Sequence, residues 1–322
     1  MQSSSELFPV ALVSAELRRD LTEDVYLLKP NNSPDLTVEL AVTRLGLLGR
    51  ESRRGVPVIL VHGSFSNRRF WYSPKGIGLG PYLVRAGFDV WIAEMRGHGL
   101  SPRNQAYTRN RVADYARYDL PALGAFVAEQ SGQAPHWIGH SLGGITLAAA
   151  LGGGHLQTEH VASLAMLGSQ VSRGHWLLKC PPVEGLARLV LRRSGEVSGP
   201  RWRRGPEHEP AGVVLESLRW HGLFGRFGEG RTDWTAGLAQ VFSPVLALAG
   251  EGDRQDPPDA CRALAERFGG AVRFLSLGRS QGFETDYGHV DMVVSKPAER
   301  EVWPLLVNWL HHGDLPAESP TG

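Results

Sequence analysis

Short, nearly unbroken apolar runs at 56–61, 88–93, 136–139, 161–167 and 245–249 constrain this 322-residue chain more than any other feature. A strand with one wet face alternates apolar and polar side chains, whereas a strand covered on both faces has no polar side to show. These runs therefore read as strands buried on both faces. The run at 36–45 does alternate, and 272–277 adds a further strand. Helix-like segments fall between them at 112–130, 142–151, 257–268 and 297–311, with a shorter one at 82–86, and Pro or Asp stands near several of their starts. Such alternation predicts an α/β fold with a mostly parallel sheet sandwiched by helices.

Composition removes several classes. Hydrophobic residues make up 42% and charged residues 21% of the chain, which suits a soluble globular protein. At this length folding typically buries about three quarters of the unfolded surface, so neither metal nor disulfide staples are required. Lys plus Arg is 34 against 33 Asp plus Glu, a balance of +1 that argues against a nucleic-acid partner. The longest apolar stretches, 147–151 and 245–249, fall far short of the roughly 18 residues that a membrane span needs. Residues 8–13 have no Lys or Arg before them and follow Glu6, so a secretory signal is not expected. Cys180 and Cys261 lack metal-ligand spacing and read as thiols in a reducing compartment, which points to a cytoplasmic location.

The segment at about 171–232 interrupts the alternation. It is rich in Gly, Pro and Arg, with short amphipathic pieces at 183–191 and 211–220. Over 171–231 there are 11 Lys and Arg against 6 Asp and Glu, while the remainder has 23 against 27. We read it as an insertion with a solvated basic face.

Gly139-His140-Ser141-Leu142-Gly143 fits the pattern Gly-x-Ser-x-Gly, in which a serine sits on a tight strand-to-helix turn among small neighbours. A second match, Gly278-Arg279-Ser280-Gln281-Gly282, shows that the pattern alone decides little. Context separates them, because Ser141 follows an apolar strand and precedes a small-residue helix, whereas Ser280 precedes no convincing helix. Chain order agrees. A serine of this type is followed by its acid and then its histidine, each at the end of a later strand. The strand at 245–249 runs into Glu251-Gly252-Asp253, and Asp253 is the expected acid, with Glu251 and Asp256 as rivals. Asp286-Tyr287-Gly288-His289 lies in a polar loop before the last helix, and His289 is the expected base.

These residue types answer chemical needs. A serine hydroxyl is a poor nucleophile until an imidazole takes its proton, and a carboxylate must orient that imidazole and stabilise its cation. Backbone N–H groups must also meet the charge that develops on the substrate oxygen. Leu142 supplies one. Val58-Ile59-Leu60-Val61-His62-Gly63-Ser64-Phe65 has the form of a strand and turn that supplies the second, from Ser64 or, as runner-up, Phe65. His62, His98 and His140 read as packing residues.

With these runs in place, the chain resembles the α/β-hydrolase superfamily over roughly 35–312. The resemblance rests on 58–63, on Arg96-Gly97-His98-Gly99-Leu100-Ser101 and on 139–144. Gly87-Phe88-Asp89-Val90-Trp91 and Gly288-His289-Val290-Asp291 are similar to the acid-lipase branch. One departure is Glu94, where Asp is frequent. The resemblance implies an α/β-hydrolase fold with an inserted cap at about 171–232, and a carboxylic-ester hydrolase working through an acyl-enzyme without a cofactor or metal. Serine at 141 disfavours the branches whose nucleophile is aspartate or cysteine.

The insertion carries Trp176, Leu177, Leu178, Trp202, Trp220, Leu223, Phe224 and Phe227. If part of that surface covers Ser141, the expected partner is a small-molecule ester with a hydrophobic acyl group. Arg201, Arg203 and Arg204 would face an anionic leaving group or lipid head groups, or else solvent. Two other functions compete: an acyltransferase or thioesterase with the same three residues, and a silent binding protein on this scaffold.

Overall fold

The computed structural model describes residues 5–50, 54–174, 180–221 and 225–315. β1 (Val10–Arg18) and β2 (Leu21–Leu28) form an antiparallel hairpin, and β3 (Leu40–Leu47) runs antiparallel to β2. β4 (Pro57–Val61) then leads through α1 (Leu79–Arg85) to β5 (Asp89–Ala93). The helix expected at 112–130 is α2 (Val112–Asp114), one π turn (Tyr115–Asp119) and α3 (Leu120–Ser131). The π turn carries Asp119, which is fully buried against the Arg96 guanidinium. β6 (His136–His140), α4 (Leu142–Gly152) and β7 (Leu164–Leu167) complete the first half.

An excursion follows, with α5 (Pro181–Ser194), β8 (Glu196–Ser198), α6 (Gly199–Trp202), β9 (His208–Pro210) and α7 (Ala211–His221). β10 (Gly228–Glu229), β11 (Thr232–Asp233) and α8 (Trp234–Leu238) bring the chain back. α8 lies so close to α4 that a Cβ on Gly237 would come within 1.8 Å of the Gly152 carbonyl oxygen. β12 (Val245–Gly250), α9 (Pro258–Ala265), β13 (Val272–Leu277), α10 (Asp291–Val294) and α11 (Lys296–His312) close the fold.

One nine-stranded sheet has the order β1-β2-β3-β5-β4-β6-β7-β12-β13, parallel from β5 onward. The mostly parallel sheet is the one that the runs predict, and the whole is the α/β-hydrolase fold that the resemblance implies. Period two decides which layer each strand residue enters. Ile59, Val61 and Trp91 pack with Leu123, Phe126 and Leu147 on one face. Val58, Leu60, Val90 and Ile92 pack with Leu83, Val302 and Trp309 on the other. That is why these strands show no polar positions.

The hairpin of β1 and β2 is not anticipated by the sequence reading. β1 is an edge strand whose Leu12, Val13 and Leu17 are exposed, so it lacks the buried face that would give it a clean period. β3 starts at Leu40 rather than at 36, because Asp35 turns the chain by accepting the Thr37 N–H at 3.0 Å. Among the described residues, no helix is long and apolar enough to cross a membrane.

Candidate active site

β4 lies between β5 and β6, so the chain leaves it toward one side of the sheet and later returns to the other. Loops after such neighbouring strands diverge and leave a crevice at their C-terminal ends. The loop after β4 carries His62, Gly63 and Ser64, and the turn after β6 carries Ser141.

Ser141 adopts φ 52° and ψ −121°, a left-handed conformation uncommon for a residue with a side chain. Its neighbours must be small. A Cβ on Gly139 would lie 2.5 Å from the Gly144 nitrogen, and one on Gly143 would lie 2.3 Å from the Val61 carbonyl oxygen. The turn is pinned by Ser141 N–H donating to Leu167 O at 2.9 Å and by Ser169 Oγ donating to Ser141 O at 3.0 Å. Leu142 is the first residue of α4, so its N–H has no partner within the helix and sits at the helix's positive end, next to Ser141.

His289 Nδ1 stands 2.7 Å from Asp253 Oδ2. The other Asp253 oxygen accepts the N–H groups of Gln255 and Asp256, each at 2.9 Å, so the buried carboxylate is fully partnered. Asp256 Oδ2 is 3.6 Å from the same imidazole nitrogen, and Gln170 Nε2 donates to Asp256 Oδ1 at 2.9 Å. Burial raises the Asp256 carboxyl above its ordinary value, against the pull of His289. Glu251 takes no part in this group. It accepts from Ser280 Oγ, and Ser276 Oγ donates to it at 3.3 Å. Ser280 itself is exposed in a 3-10 turn.

The outer nitrogen of His289, Nε2, lies 3.2 Å from Gln255 Nε2. Arg204 donates to Gln255 Oε1 at 3.3 Å, which turns the amide NH2 toward the imidazole. Nε2 is therefore the acceptor and Nδ1–H the donor, the tautomer a general base requires.

The other histidines are satisfied in place. His62 Nδ1 donates to Gly63 O at 2.8 Å and Nε2 accepts the Met95 N–H at 3.2 Å. His140 Nε2 donates to the His289 carbonyl at 2.8 Å, and its ring stacks on Phe70 at 4.5 Å. Burial holds both imidazoles down to about 3. His98 pairs with Glu209 of β9, at 3.1 Å. The Phe65 N–H donates to that same Glu209 oxygen at 2.7 Å, whereas, among the described residues, none accepts from the Ser64 N–H.

A cavity of about 1000 Å³ opens beside Ser141. Leu142, Ile145, Val197, Trp202, Val213 and Val214 supply its apolar lining, and Gln170, Arg173, Arg204, Arg254, Gln255 and Asp256 its polar lining. Trp202 is 66% exposed there; Trp220, Phe227 and Trp234 instead pack edge to face on one another, away from solvent. Arg201 and Arg203 face solvent. Trp176, Leu177, Leu178, Leu223 and Phe224 lie outside the described residues.

Asp253, Asp256 and His289 also place ligand atoms within 4.8 Å of one another, as a metal site would. The hydrogen bonds above already occupy the facing atoms of Asp253 and His289. The sequence reading passes over Glu209, Gln255 and Gln170 as site residues, and it offers Arg204 as a contact for a leaving group or head group rather than as the partner of Gln255. Gln255 and Gln170 carry no motif, and Glu209 reaches the turn only through a contact across 144 residues of chain.

Comparison with known proteins agrees with the fold. The sequence profile of the alpha/beta hydrolase family matches residues 58–301. Triacylglycerol lipase 2 of Arabidopsis thaliana is 28% identical over 208 residues, covering 62% of this chain and 46% of that lipase. Gastric triacylglycerol lipase of Homo sapiens is 33% identical over 133 residues, covering 38% of this chain and 31% of its own. The aligned part thus spans less than half the length of either lipase. A thermophilic esterase from Thermogutta terrifontis superposes with a TM-score of 0.60 at 19% identity, covering 89% of this chain and 98% of the esterase.

Proposed function

Because this chain belongs to the alpha/beta hydrolase family, we propose that it hydrolyses carboxylic esters through an acyl-enzyme on Ser141. The observation that carries this reading is the 2.7 Å pair of His289 and Asp253, with the imidazole in the base tautomer, in the same crevice as a strained serine. Ser141 Oγ attacks the ester carbonyl while His289 Nε2 takes its proton. The Gln255 amide, which holds Nε2 in the free enzyme, must move aside. Asp253 stabilises the imidazolium, and the N–H groups of Ser64 and Leu142 meet the oxyanion, each lowering the barrier by about 3 to 4 kcal/mol. Collapse expels the alcohol, protonated by His289. Water then enters by the same route, giving up a proton to His289, and releases the acid.

The residues between β7 and β12 act as a cap, whose Val197, Trp202, Val213 and Val214 line the cavity beside Ser141 and favour a hydrophobic acyl group. The lipase relatives support an ester substrate. Turnover of p-nitrophenyl esters of graded chain length tests the proposal, with acyl-CoA and an added alcohol as competing substrates. Ester hydrolysis with Ser141 labelled by a fluorophosphonate is the expected result. Faster thioester cleavage, or transfer to the alcohol in preference to water, would replace it with a thioesterase or acyltransferase; no turnover and no labelling would leave a binding protein.

A further inference from the structure

We infer that Glu209, from β9, is a positioning residue for the oxyanion turn: it fixes the peptide that follows Ser64 by accepting the Phe65 N–H, and His98 balances its charge. The inference rests on the ester-hydrolase reading above and adds a control that the cap exerts over it.

Phe65 has φ 58°, the left-handed region, which a residue with a side chain adopts only when held there. Three contacts hold it, all from one stretch of the excursion. Glu209 Oε1 accepts its N–H at 2.7 Å, and the Glu207 N–H donates to its carbonyl at 3.0 Å. Gly205 lies so close that a Cβ would come within 2.2 Å of that carbonyl oxygen. With the Phe65 N–H taken, Ser64 is left as the donor of this turn. The orientation of the Ser64 peptide is then inherited from the seating of β9.

A carboxylate beside the oxyanion site has a cost. Glu209 is 1% exposed, and an unbalanced charge there would repel the negative charge that forms on the substrate. His98 answers this. Its Nε2 lies 3.1 Å from Glu209 Oε1 and its Nδ1 3.3 Å from the Arg96 carbonyl, so both ring nitrogens face acceptors and a doubly protonated ring fits. The other groups around it are the neutral His62 ring at 5.2 Å, Tyr115 edge-on at 6.3 Å, and the Glu207 carboxylate. Burial opposes the charge on His98, but Glu209, with Glu207 and the Arg96 carbonyl, outweighs it and raises the imidazole above its ordinary value. As pH climbs through that raised value, Glu209 loses its counter-charge and kcat falls.

The test uses the full chain, with Glu209→Ala, Glu209→Gln, His98→Gln and the double variant Glu209→Gln/His98→Gln, followed by ester kinetics, thermal melts and pH profiles. Glu209→Ala is expected to lose about 10- to 100-fold in kcat with KM within about 3-fold, a fraction of what deleting an oxyanion donor does. Glu209→Gln, whose amide oxygen still accepts the Phe65 N–H, recovers at least about 5-fold of that loss and flattens the alkaline fall. His98→Gln strands the charge and lowers kcat about 10-fold, and adding Glu209→Gln restores it to within about 3-fold of Glu209→Gln alone. An unchanged kcat in Glu209→Ala, or a change confined to KM or to melting temperature, overturns the inference. Should Glu209→Ala not fold, the paired Gln variants decide, and failure of the second substitution to restore kcat overturns it equally. A wild type that neither turns over esters nor reacts with a fluorophosphonate defeats the ester-hydrolase reading itself.

Discussion

His289 Nδ1 lies 2.7 Å from Asp253 Oδ2, at hydrogen-bond range, inside a group where Asp256 offers the same nitrogen a second carboxylate at 3.6 Å. Orientation by Asp253 and support from Asp256 therefore separate. Asp253→Asn is expected to lower kcat by at least about 100-fold, since an amide holds the wrong tautomer and cannot stabilise the imidazolium. Asp256→Asn should lower it by less than about 10-fold, and the double variant should fall below Asp253→Asn alone as the remaining charge is removed. Glu251→Gln should match wild type, because Glu251 is engaged with Ser276 and Ser280. Equal losses for Asp253→Asn and Asp256→Asn, measured on one ester, would reverse the assignment of the acid.

Ser141→Ala should abolish ester hydrolysis while leaving the thermal midpoint near wild type, since it removes a hydroxyl from a turn held by backbone contacts. Ser280→Ala, at an exposed 3-10 turn, should do little. The opposite ranking, with both variants folded by circular dichroism, would sink the choice of nucleophile.

Gly143→Ala tests the packing that creates the elbow. The added methyl would meet the Val61 and His62 carbonyl oxygens at 2.3 and 2.7 Å, both backbone atoms that cannot swing away. Overpacking of this kind costs about 1–3 kcal/mol, which outweighs the helix preference of Ala over Gly. We expect a lower melting midpoint together with a reduced kcat; a stabilised variant with full activity would mean that the strand and elbow can move apart.

Which parts of this architecture a reader of the sequence can find follows from what each part depends on. The strands β4 to β7 and β12 are legible because burial on both faces removes polar residues from contiguous positions. Ser141, Asp253 and His289 are legible because each follows its own strand, in the order that the strand-to-helix serine turn implies. The hairpin of β1 and β2 is not, since an exposed edge leaves Leu12, Val13 and Leu17 without a face to mark. The π turn at Tyr115–Asp119 hides inside an otherwise helical stretch, because one wider turn scarcely alters a 3.6-residue pattern over that length. Glu209 and Gln255 are hidden for another reason: their partners are fixed by how the excursion docks, and no local period carries that information.

Acid lability should follow from the buried histidines. Burial lowers His62 and His140 to about 3 and His136 to about 4, from 6.5. Between those values the unfolded chain binds more protons than the folded one, so stability is present above about 6.5 and drains away as pH falls. Each such histidine costs about 1.4 kcal/mol per pH unit within the window. Glu216, raised by burial to about 6, acts the other way, its contribution being present below 4.5 and lost as pH rises through 6. Burial raises the Glu94, Asp119 and Asp256 carboxyls in the same opposing sense and lowers His155 alongside the three rings, so the slope is the histidine contribution less that of these acids. Urea midpoints should fall from pH 6.5 to 4.5, and His136→Asn should shallow that slope by the share of one histidine. A midpoint that holds steady over this range would contradict the neutral, buried state of these rings.

Two tryptophans of the excursion stand in opposite situations, and together they test whether it selects the acyl chain. Trp202, at the end of α6, is 66% exposed and lines the cavity beside Ser141. Trp220 is buried, with its ring 5.0 Å from Phe227 and 5.8 Å from Trp234. If the apolar lining receives the acyl chain, each methylene that enters adds up to about 0.8 kcal/mol of transfer free energy until the space is filled, so kcat/KM should peak at one chain length. Trp202→Ala lengthens that space and should move the peak toward longer chains, with little change in melting temperature because the ring buries little on folding. Trp220→Ala removes an anchor and should destabilise by about 3–5 kcal/mol while leaving the order of preference intact in the folded fraction. Measuring kcat/KM from acetate to dodecanoate beside thermal melts distinguishes the two roles; the same peak in wild type and Trp202→Ala would show that the acyl chain lies elsewhere.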